Sequence, residues 1–212
     1  MMKIVLFGAT GMIGQRVLTE ALNRGHAVTV VARDPSKVTA QAPNLSVVRG
    51  DLSDPARVQS LVTGAEVVVS AFAPPQGHEG QVADVARTLV RAVGAAEPPP
   101  RLVVVGGAGG LEVGPGVRVI DTPTFPAFLK PIAQAHIDAY EVYRTANVDW
   151  TFFAPAALIQ PGQRTGRYRT GRDQLVVDDA GNSSISAEDY AAALLDEIEK
   201  PQFRRSRMTA AN

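Results

Sequence analysis

The sequence predicts an α/β protein with a doubly wound parallel sheet. Short runs rich in valine and isoleucine alternate with longer segments whose apolar residues recur at helical spacing, which is typical of a parallel sheet covered on both faces. A glycine-rich turn follows the first of these runs. With 212 residues and 45% hydrophobic content, the chain can bury one substantial core, so we expect one domain spanning residues 1–212.

The first half of the chain contains three predicted strands and two predicted helices. The strands are expected at residues 3–7, 27–32 and 45–49, and the helices at residues 12–24 and 55–63. Gly25 follows the first helix, where a left-handed cap is expected. Ser53 or Asp54 can cap the second helix, with Pro55 in its first turn. The residues at these boundaries therefore agree with the apolar periodicity.

The second half continues the same alternation. Strands are expected at residues 66–70, 101–105 and 150–154, and helices at residues 79–96 and 126–146. The sequence EPPP at residues 97–100 forms a stiff turn rather than a linker, because the segments on either side belong to one series of strands and helices. Residues Ser186 to Asp189 resemble a capping box, which begins a last helix that runs to about Lys200.

The bulk composition limits the partners of the protein. Twenty-one basic and 21 acidic side chains balance, so no overall field favours nucleic acid or an anionic membrane. The absence of cysteine excludes disulfides and thiolate chemistry and fits a reducing compartment. No signal-type segment precedes the first strand, and no apolar run reaches the roughly 20 residues that span a bilayer. We expect a soluble, cytoplasmic protein that binds a small molecule, and the oligomeric state stays open.

The strongest chemical motif is the glycine-rich turn between the first strand and the first helix. Its spacing is Gly8-x-x-Gly11-x-x-Gly14. In such a motif the first glycine permits a tight turn, the second admits a pyrophosphate and the third lets helix and strand pack closely. The helix N-terminus would then hold the phosphates. The candidate cofactor contacts in this turn are Gly8, Thr10, Gly11, Met12, Ile13 and Gly14.

The end of the second strand discriminates between nicotinamide cofactors. A site for NAD usually ends this strand with an acidic residue for the ribose hydroxyls, whereas a 2′-phosphate requires positive charge. Ala32 occupies the expected acidic position, and Arg33 and Lys37 follow it. Asp34 favours NAD, and a solvated loop is the alternative interpretation of all three charged residues. We predict NADP, with Arg33 and Lys37 at the 2′-phosphate.

Several further motifs point to a known family. The glycine motif is followed in order by ARD, GDLSD, VVVSAFAPP and FFAPAAL. Over essentially its whole length the chain resembles the atypical short-chain dehydrogenases, and most closely their biliverdin reductase B-like and NADH-flavin reductase subfamily. The resemblance implies a single Rossmann domain with a small C-terminal extension. It also implies that the cofactor contacts Asp51, Leu52, Ser70, Ala71, Phe72 and the loop around Pro155.

The fifth predicted strand departs from the typical dehydrogenase pattern. A catalytic Ser or Thr normally follows this strand, and here Gly106 and Gly107 stand in its place. No hydroxyl is therefore available there to polarise a substrate carbonyl. The two glycines allow the backbone to approach a flat ligand, with their N–H groups as donors. The alternative interpretation is an irregular turn without a binding role.

A second departure lies in the sequence HIDAYEVYR, residues 136–144. Where a dehydrogenase has Tyr-x-x-x-Lys, Tyr140 is followed by Arg144, and a guanidinium does not shuttle protons as an ammonium does. His136, one turn earlier, has a side chain suited to proton transfer near neutral pH. We regard His136 and Tyr140 as candidate catalytic residues, although packing is the more common role for either side chain at such a position.

The helical wheel assigns most of this segment to packing. Its apolar residues form one stripe, which is the predicted core face: Phe128, Ile132, Ala135, Ala139, Val142 and Ala146. His136, Tyr140 and Tyr143 lie beside the stripe, and Arg144 faces solvent. We therefore expect a packing helix that borders the substrate cleft.

The remaining walls of the cleft are expected at residues 72–80, the Pro123–Pro126 turn and residues 157–172. The sequence GRYRTGRDQL, residues 166–175, could form a hairpin lid. Four arginines in this part of the chain could meet an anionic group or solvent; these are Arg164, Arg167, Arg169 and Arg172. His78 and Glu79 offer an acid and a base, although a lone histidine in such a loop usually has no such role. No residue spacing indicates a metal site.

Three functions are compatible with these residues. The first is an NADPH-dependent reductase of flavin, with FMN or FAD as substrate, or of a similar planar acceptor, because such an acceptor needs positioning more than acid catalysis. The second is a regulator that senses NADP(H) without turning it over, which the missing Ser and Lys permit. The third is a sugar-nucleotide epimerase or dehydratase, which would need the missing Tyr/Lys pair and a larger C-terminal part.

Overall fold

The computed structural model describes residues 1–212 and contains twelve strands and five α-helices. The strands are β1 (Lys3–Phe7), β2 (Ala27–Ala32), β3 (Leu45–Arg49), β4 (Val67–Ser70), β5 (Arg101–Val105), β6 (Glu112–Gly114), β7 (Val117–Arg118), β8 (Trp150–Ala154), β9 (Leu158–Gln160), β10 (Arg169–Gly171), β11 (Ser184–Ser186) and β12 (Ser206–Ala211). The helices are α1 (Met12–Asn23), α2 (Pro55–Val62), α3 (Gln81–Gly94), α4 (Lys130–Arg144) and α5 (Ala187–Glu199).

Eight of the strands form one central sheet in the order β10-β12-β8-β5-β4-β1-β2-β3. Every neighbouring pair is parallel except β10 with β12. The parallel strands therefore end at one common edge, called the carboxyl edge below. The strand order reverses between β1 and β4, and this is the point where open α/β sheets form a ligand crevice.

The fold class is the predicted one, a doubly wound, Rossmann-like α/β sheet. All six predicted strands are present with boundaries that agree to within one residue. The predicted caps also form, because the side chain of Asp54 accepts a hydrogen bond from Arg57 N and that of Ser186 accepts one from Asp189 N. Gly25 adopts a φ of 77°, which only glycine tolerates without strain.

Two packed layers cover the sheet. On one face α1 and α5 bury residues such as Val17 and Tyr190 against the sheet. On the other face α2, α3 and α4 bury residues such as Val58, Leu89 and Tyr143. No helix is both long enough and apolar enough to cross a membrane.

Two predictions about α4 were wrong. Phe128 is not part of the core face, because residues 127–129 form a short 3₁₀ turn before the helix and the Phe128 side chain is 81% exposed. Tyr143 does not lie beside the core but inside it, with 4% of its surface exposed. The wheel misplaced Phe128 because it assumes one continuous α-helix. It misplaced Tyr143 because it contains no information on the width of the groove between neighbouring helices.

The predicted hairpin lid at residues 166–175 was also wrong. Strand β9 pairs with β11, and β10 pairs antiparallel with β12 at the edge of the central sheet. Strand β10 therefore lies at the edge of the central sheet, and β9 belongs to a separate two-stranded sheet with β11. Both strands take their partners from further along the chain, and local sequence patterns do not reveal such pairing.

Candidate functional site

The glycine turn lies at the crevice, and each of its glycines has a different steric role. Gly8 has a φ of 80°, and a Cβ there would lie 2.3 Å from the carbonyl oxygen of Ala71. A Cβ on Gly14 would lie 2.0 Å from the carbonyl oxygen of Gly8. A Cβ on Gly11 would come no closer than 3.5 Å to another atom, so Gly11 faces open space. Gly8 and Gly14 thus serve packing, while Gly11 keeps the approach to the helix free.

The N-terminus of α1 offers unpaired donors beside this open space. No side chain caps the helix, and the first helical N–H group that donates within the chain is that of Gln15, to the carbonyl oxygen of Gly11 at 3.0 Å. The N–H groups of Met12, Ile13 and Gly14 have no acceptor in the chain. Thr10 and Gly11 are exposed beside them. Unpaired N–H groups at a helix N-terminus bind anions, so the turn fits a pyrophosphate.

Positive side chains surround the end of β2. Arg33 and Lys37 are exposed, and neither forms an ion pair. Asp34 turns into its own loop, where its carboxylate accepts hydrogen bonds from Ser36 N at 3.1 Å and Ser36 Oγ at 2.7 Å. These bonds to Ser36, together with the fields of Lys37 and Arg49, hold the pKa of Asp34 below its usual value. The carboxylate of Asp34, the residue that favoured NAD, is therefore engaged in hydrogen bonds within its own turn.

Arg49 is a third cation at this place, and it was not among the residues predicted from the sequence. It is the last residue of β3, and its Cα pairs with that of Ala32 at the end of β2. Its position at the end of a predicted strand was the available indication, since ligands of such sheets collect at strand ends.

Asp51 and Leu52 follow β3 at the same edge. The Asp51 carboxylate accepts a hydrogen bond from Ser53 N at 2.9 Å, and this bond, aided by the field of Arg33, lowers its pKa. Leu52 is buried in the core. The exposed carboxylate of Asp51 thus stays ionised beside the cations at the end of β2.

The turn after β4 brings three more predicted residues to the crevice. Ser70 is buried at the end of the strand, and Ala71 N donates to the carbonyl oxygen of Phe7 at 2.9 Å. Phe72 is half-buried and packs on the core. Pro155 is buried directly after β8, at the same carboxyl edge.

Gly106 and Gly107 are required by packing. Gly106 N donates to the carbonyl oxygen of Phe153 at 2.8 Å. This N–H group is therefore paired within the sheet, and the expectation that it is a free donor for a ligand was wrong. A Cβ on Gly106 would lie 2.2 Å from the Phe152 ring. A Cβ on Gly107 would lie 3.0 Å from Cδ2 of His136. Because both positions are glycine, the rings of Phe152 and His136 can occupy the space beside the end of β5.

His136 borders a small cavity beside the turn that follows β4. The cavity is lined mainly by apolar side chains and also by Ser70 and Phe72. Nδ1 of His136 is buried and has no hydrogen-bond partner. Burial lowers the pKa of His136 to about 4, so the imidazole is neutral at neutral pH. A neutral ring is a poor acid, but it can accept or donate a hydrogen bond.

Tyr140 lies in a different environment from His136. Its ring packs edge-on against Phe152, with 5.2 Å between the centroids, and the guanidinium of Arg207 lies 4.0 Å from its ring centre. Burial raises the pKa of Tyr140, so its phenol keeps its proton. Arg144 is exposed and forms an ion pair with Glu141 at 2.7 Å. Tyr140 and Arg144 therefore do not act as a pair, and Tyr140 does not line the cavity of His136.

The other predicted cleft residues are divided between solvent and structural contacts. His78 is exposed, and Glu79 accepts a hydrogen bond from Gly77 N at 2.8 Å. Arg164 binds Glu20, Arg169 binds the carbonyl oxygen of Val177, and Arg172 binds Ser206. These three arginines therefore hold the C-terminal part of the chain in place. No cluster of side chains could hold a metal ion.

Comparison with known proteins agrees with this geometry. Residues 8–201 match the family described as NAD(P)H-binding. A Burkholderia pseudomallei protein provisionally named as exported is 50% identical, with a TM-score of 0.91 over 100% of both chains. A Bacteroides thetaiotaomicron protein provisionally named an epimerase is 42% identical, with a TM-score of 0.92 over 99% of this chain and 96% of its own. A Streptococcus pneumoniae protein provisionally named an NADH-flavin reductase is 31% identical, with a TM-score of 0.91 over 100% of both chains.

Proposed function

The chain belongs to the NAD(P)H-binding family, and on this basis we propose that it is an NADPH-dependent oxidoreductase that reduces a flavin or a similar planar acceptor. The name of the Streptococcus pneumoniae protein supports reductase chemistry on a flavin, and the name of the Bacteroides thetaiotaomicron protein supports a different reaction. The choice between them depends on the side chains of the site.

One observation carries the proposal: the hydroxyl residue and the Tyr/Lys pair with which a typical dehydrogenase protonates a carbonyl substrate are missing here. Gly106 and Gly107 replace the hydroxyl residue, Tyr140 lies under Arg207, and His136 is neutral. A carbonyl or a sugar-nucleotide substrate needs such a group for proton transfer. Flavin accepts hydride on a ring nitrogen and delocalises the charge, so positioning can supply much of its catalysis.

The residues at the crevice have distinct proposed roles. The N–H groups of Met12, Ile13 and Gly14 bind the pyrophosphate, and the open space at Gly11 admits it. Bound NADPH supplies the hydride. The half-buried Phe72 and the buried Pro155 follow β4 and β8 at the carboxyl edge, and we assign them to the apolar wall of the crevice. FMN, FAD and riboflavin are the candidate acceptors.

The preference for NADPH rests on the charges at the end of β2. Arg33 and Lys37 are free to bind the 2′-phosphate, while Asp34 is engaged with Ser36. We expect NADPH to bind more tightly than NADH, and Arg33→Ala to weaken NADPH at least about tenfold with little effect on NADH. Isothermal titration of both cofactors tests this, and Arg144→Ala is the matched control because Arg144 pairs with Glu141 on α4. Equal affinities in the wild type would contradict the preference.

The enzymatic proposal has a direct test. Purified protein with NADPH and free FMN, FAD or riboflavin should consume NADPH, followed at its absorbance maximum, well above the spontaneous rate. Gly11→Val serves as the inactive control. Failure with flavins, quinones and carbonyl compounds, despite micromolar NADPH binding, would contradict a reductase.

That outcome would favour the second candidate, a regulator that senses NADP(H). The observation in its favour is again the missing hydroxyl residue and Tyr/Lys pair, since a protein that only binds the cofactor needs neither. A sensor must couple its ligand to another molecule. The next measurement would be a pull-down in NADPH against NADP⁺, with a partner that binds in one state only as the expected result.

The partners and the compartment follow from the same residues. The balanced charge offers no field for nucleic acid, so we assign the crevice to small molecules. We place the protein in the cytoplasm, because a chain without cysteine suits a reducing compartment. The Burkholderia pseudomallei relative is provisionally named as exported, and cell fractionation would decide between the two locations.

A further inference from the structure

Arg49 is the neighbour of Ala32 in the central sheet. Strands β2 and β3 are parallel, and the Cα of Arg49, the last residue of β3, pairs with that of Ala32. Neighbouring strands lie about 4.8 Å apart, and residues in register direct their side chains to the same face of a parallel sheet. Ala32 occupies the position at which an NAD site carries its acidic residue. The side chain of Arg49 therefore extends from the adjacent strand on the face that this acid would use.

The packing of the two strands identifies that face. Ala32 and Val47 pack against the apolar layer that includes Val17 of α1, whereas Val48 packs against the opposite layer. Side chains alternate along a strand, so Arg49 lies on the face of Val47. Arg49 is therefore on the same side of the sheet as α1, the helix whose N-terminus offers unpaired donors to the pyrophosphate.

The backbone of Arg49 is held in place, while its guanidinium is available to a ligand. Nη2 of Arg57 donates to the carbonyl oxygen of Arg49 at 3.2 Å, which fixes the last backbone group of β3. The Arg49 side chain is exposed and forms no ion pair. A cation at a strand end of such a sheet, without a partner in the protein, is placed where ligands collect.

The two carboxylates of this corner are engaged within their own turns. Hydrogen bonds from Ser36 are the main cause of the lowered pKa of Asp34, and the charges of Lys37 and Arg49 lower it further. Asp34 thus lies within the field of Arg49, but its carboxylate is bonded to Ser36. The Asp51 carboxylate accepts a hydrogen bond from Ser53 N at 2.9 Å. Neither acid pairs with Arg49, so its charge remains for a bound anion.

From this arrangement we propose that Arg49 joins Arg33 and Lys37 at the 2′-phosphate of NADPH and determines the discrimination against NADH. The inference rests on the proposed function, which assigns this phosphate to the end of β2. A phosphate monoester carries about −1.5 to −2 charges at pH 7 and has three acceptor oxygens, which the planar guanidinium group binds with parallel hydrogen bonds. Arg33 approaches from the loop after β2 and Arg49 from β3. The ribose hydroxyl of NADH has no charge for either arginine to neutralise.

The test uses two fragments of the cofactor that differ only in the 2′-phosphate, namely 2′,5′-ADP and 5′-AMP. Each fragment is titrated calorimetrically into the wild type and into Arg49→Ala. We expect Arg49→Ala to weaken 2′,5′-ADP about three- to tenfold, because one charge-assisted contact at an exposed site is lost. The affinity for 5′-AMP should stay within about twofold of the wild type.

Two further variants separate a phosphate contact from a general effect of charge. Arg49→Lys keeps the charge but loses the planar pair of donors, so its affinity for 2′,5′-ADP should lie between those of the wild type and Arg49→Ala. Arg91→Ala is the matched control, since Arg91 is also exposed and without an ion pair but lies in the last turn of α3. It should bind both fragments like the wild type.

The outcomes distinguish this inference from the proposed function. Full affinity of Arg49→Ala for 2′,5′-ADP, with weak binding by Arg33→Ala, would overturn the inference and leave the NADPH preference intact. An equal loss for both fragments in Arg49→Ala would also overturn it, because Arg49 would then contact the adenosine. A wild type that does not distinguish the fragments would remove the inference and the NADPH preference together. A selective loss in Arg49→Ala, without flavin reduction by the wild type, would remove the reductase and keep Arg49 as a phosphate ligand.

Discussion

Three glycines with the same spacing in the sequence have unequal freedom in the structure. Gly8 needs a positive φ, and Gly14 has no room for a Cβ, whereas Gly11 has ordinary backbone angles of −80° and 169° and open space beside it. Substitution at Gly8 or Gly14 would disturb the fold itself. Gly11 is the position where ligand binding can be changed without unfolding the protein.

We therefore predict that Gly11→Val abolishes dinucleotide binding but leaves the fold intact. The branched side chain would occupy the approach of the pyrophosphate, and its cost to the protein should be about 1 kcal/mol because Val is a poor N-cap residue. Calorimetric titration with NADPH and a thermal melt check the two parts. Binding retained by a folded Gly11→Val protein would place the cofactor elsewhere.

His136 supplies a residue-scale prediction about pH. Its pKa is about 4 in the folded protein and about 6.5 when unfolded, so the unfolded chain takes up the proton first as the pH falls. Its contribution to stability is complete above pH 6.5 and is lost as the pH falls toward 4. We expect the unfolding free energy of the wild type to fall by about 1–3 kcal/mol over this range through His136.

The comparison with His136→Asn isolates this contribution. Asn does not titrate, while the other histidines and the carboxylates are common to both proteins. Urea denaturation at pH values between 7 and 4.5 should give a steeper loss of stability for the wild type than for the variant. Parallel curves would show that the imidazole is not desolvated in solution.

At the scale of elements, the two candidate catalytic residues of α4 have different neighbours. His136 meets Gly107 and the cavity lined by Ser70 and Phe72, and Tyr140, one turn later, meets Phe152 and Arg207. Arg207 also donates to the carbonyl oxygen of Gly110 at 2.6 Å, which ties β12 to the loop after β5. The helix that carries catalytic chemistry in typical dehydrogenases serves packing at Tyr140.

From this division we predict that Tyr140→Phe lowers kcat/KM for flavin reduction by less than about tenfold. The phenyl ring keeps the contacts with Phe152 and Arg207, and only a hydroxyl whose pKa is raised by burial is removed. Steady-state kinetics with NADPH and FMN provide the measurement. A loss of about a thousandfold would restore Tyr140 as the proton donor.

At the scale of the whole molecule, a buried ionic network joins the C-terminal extension to the central sheet. Glu197 of α5 is 3% exposed, pairs with Arg101 of β5, and accepts hydrogen bonds from Gln202 N at 2.8 Å and Phe203 N at 3.0 Å. Arg101 also donates to Thr151 Oγ1 of β8 at 2.7 Å. The network therefore fixes α5, β5, β8 and the segment that leads into β12.

Glu197→Ala should destabilise the protein by about 3–5 kcal/mol, because it leaves the Arg101 guanidinium buried without its partner. Glu141→Ala is the matched control, since its pair with Arg144 is exposed and should contribute about 0–1 kcal/mol. Urea denaturation of both variants gives the comparison. Equal losses in the two variants would contradict a buried network.

The sequence by itself determined the features that depend on local backbone physics. Apolar periodicity and capping residues located six of the eight strands of the central sheet and all five helices, and the spacing of Gly8, Gly11 and Gly14 located the tight turn before α1. These patterns are readable because each helix satisfies its backbone hydrogen bonds within a short stretch of chain, and because each of these strands is a short apolar run bounded by turn residues.

Only the tertiary structure decided which side chains meet across the molecule. Arg164 pairs with Glu20 across 144 residues, β10 finds its partner in β12, Tyr140 lies under Arg207, and Phe128 is exposed. Each of these outcomes depends on the distance and angle between elements that are remote in sequence. Side-chain volume and charge select such partners after the backbone has brought them together, and no local pattern encodes that geometry.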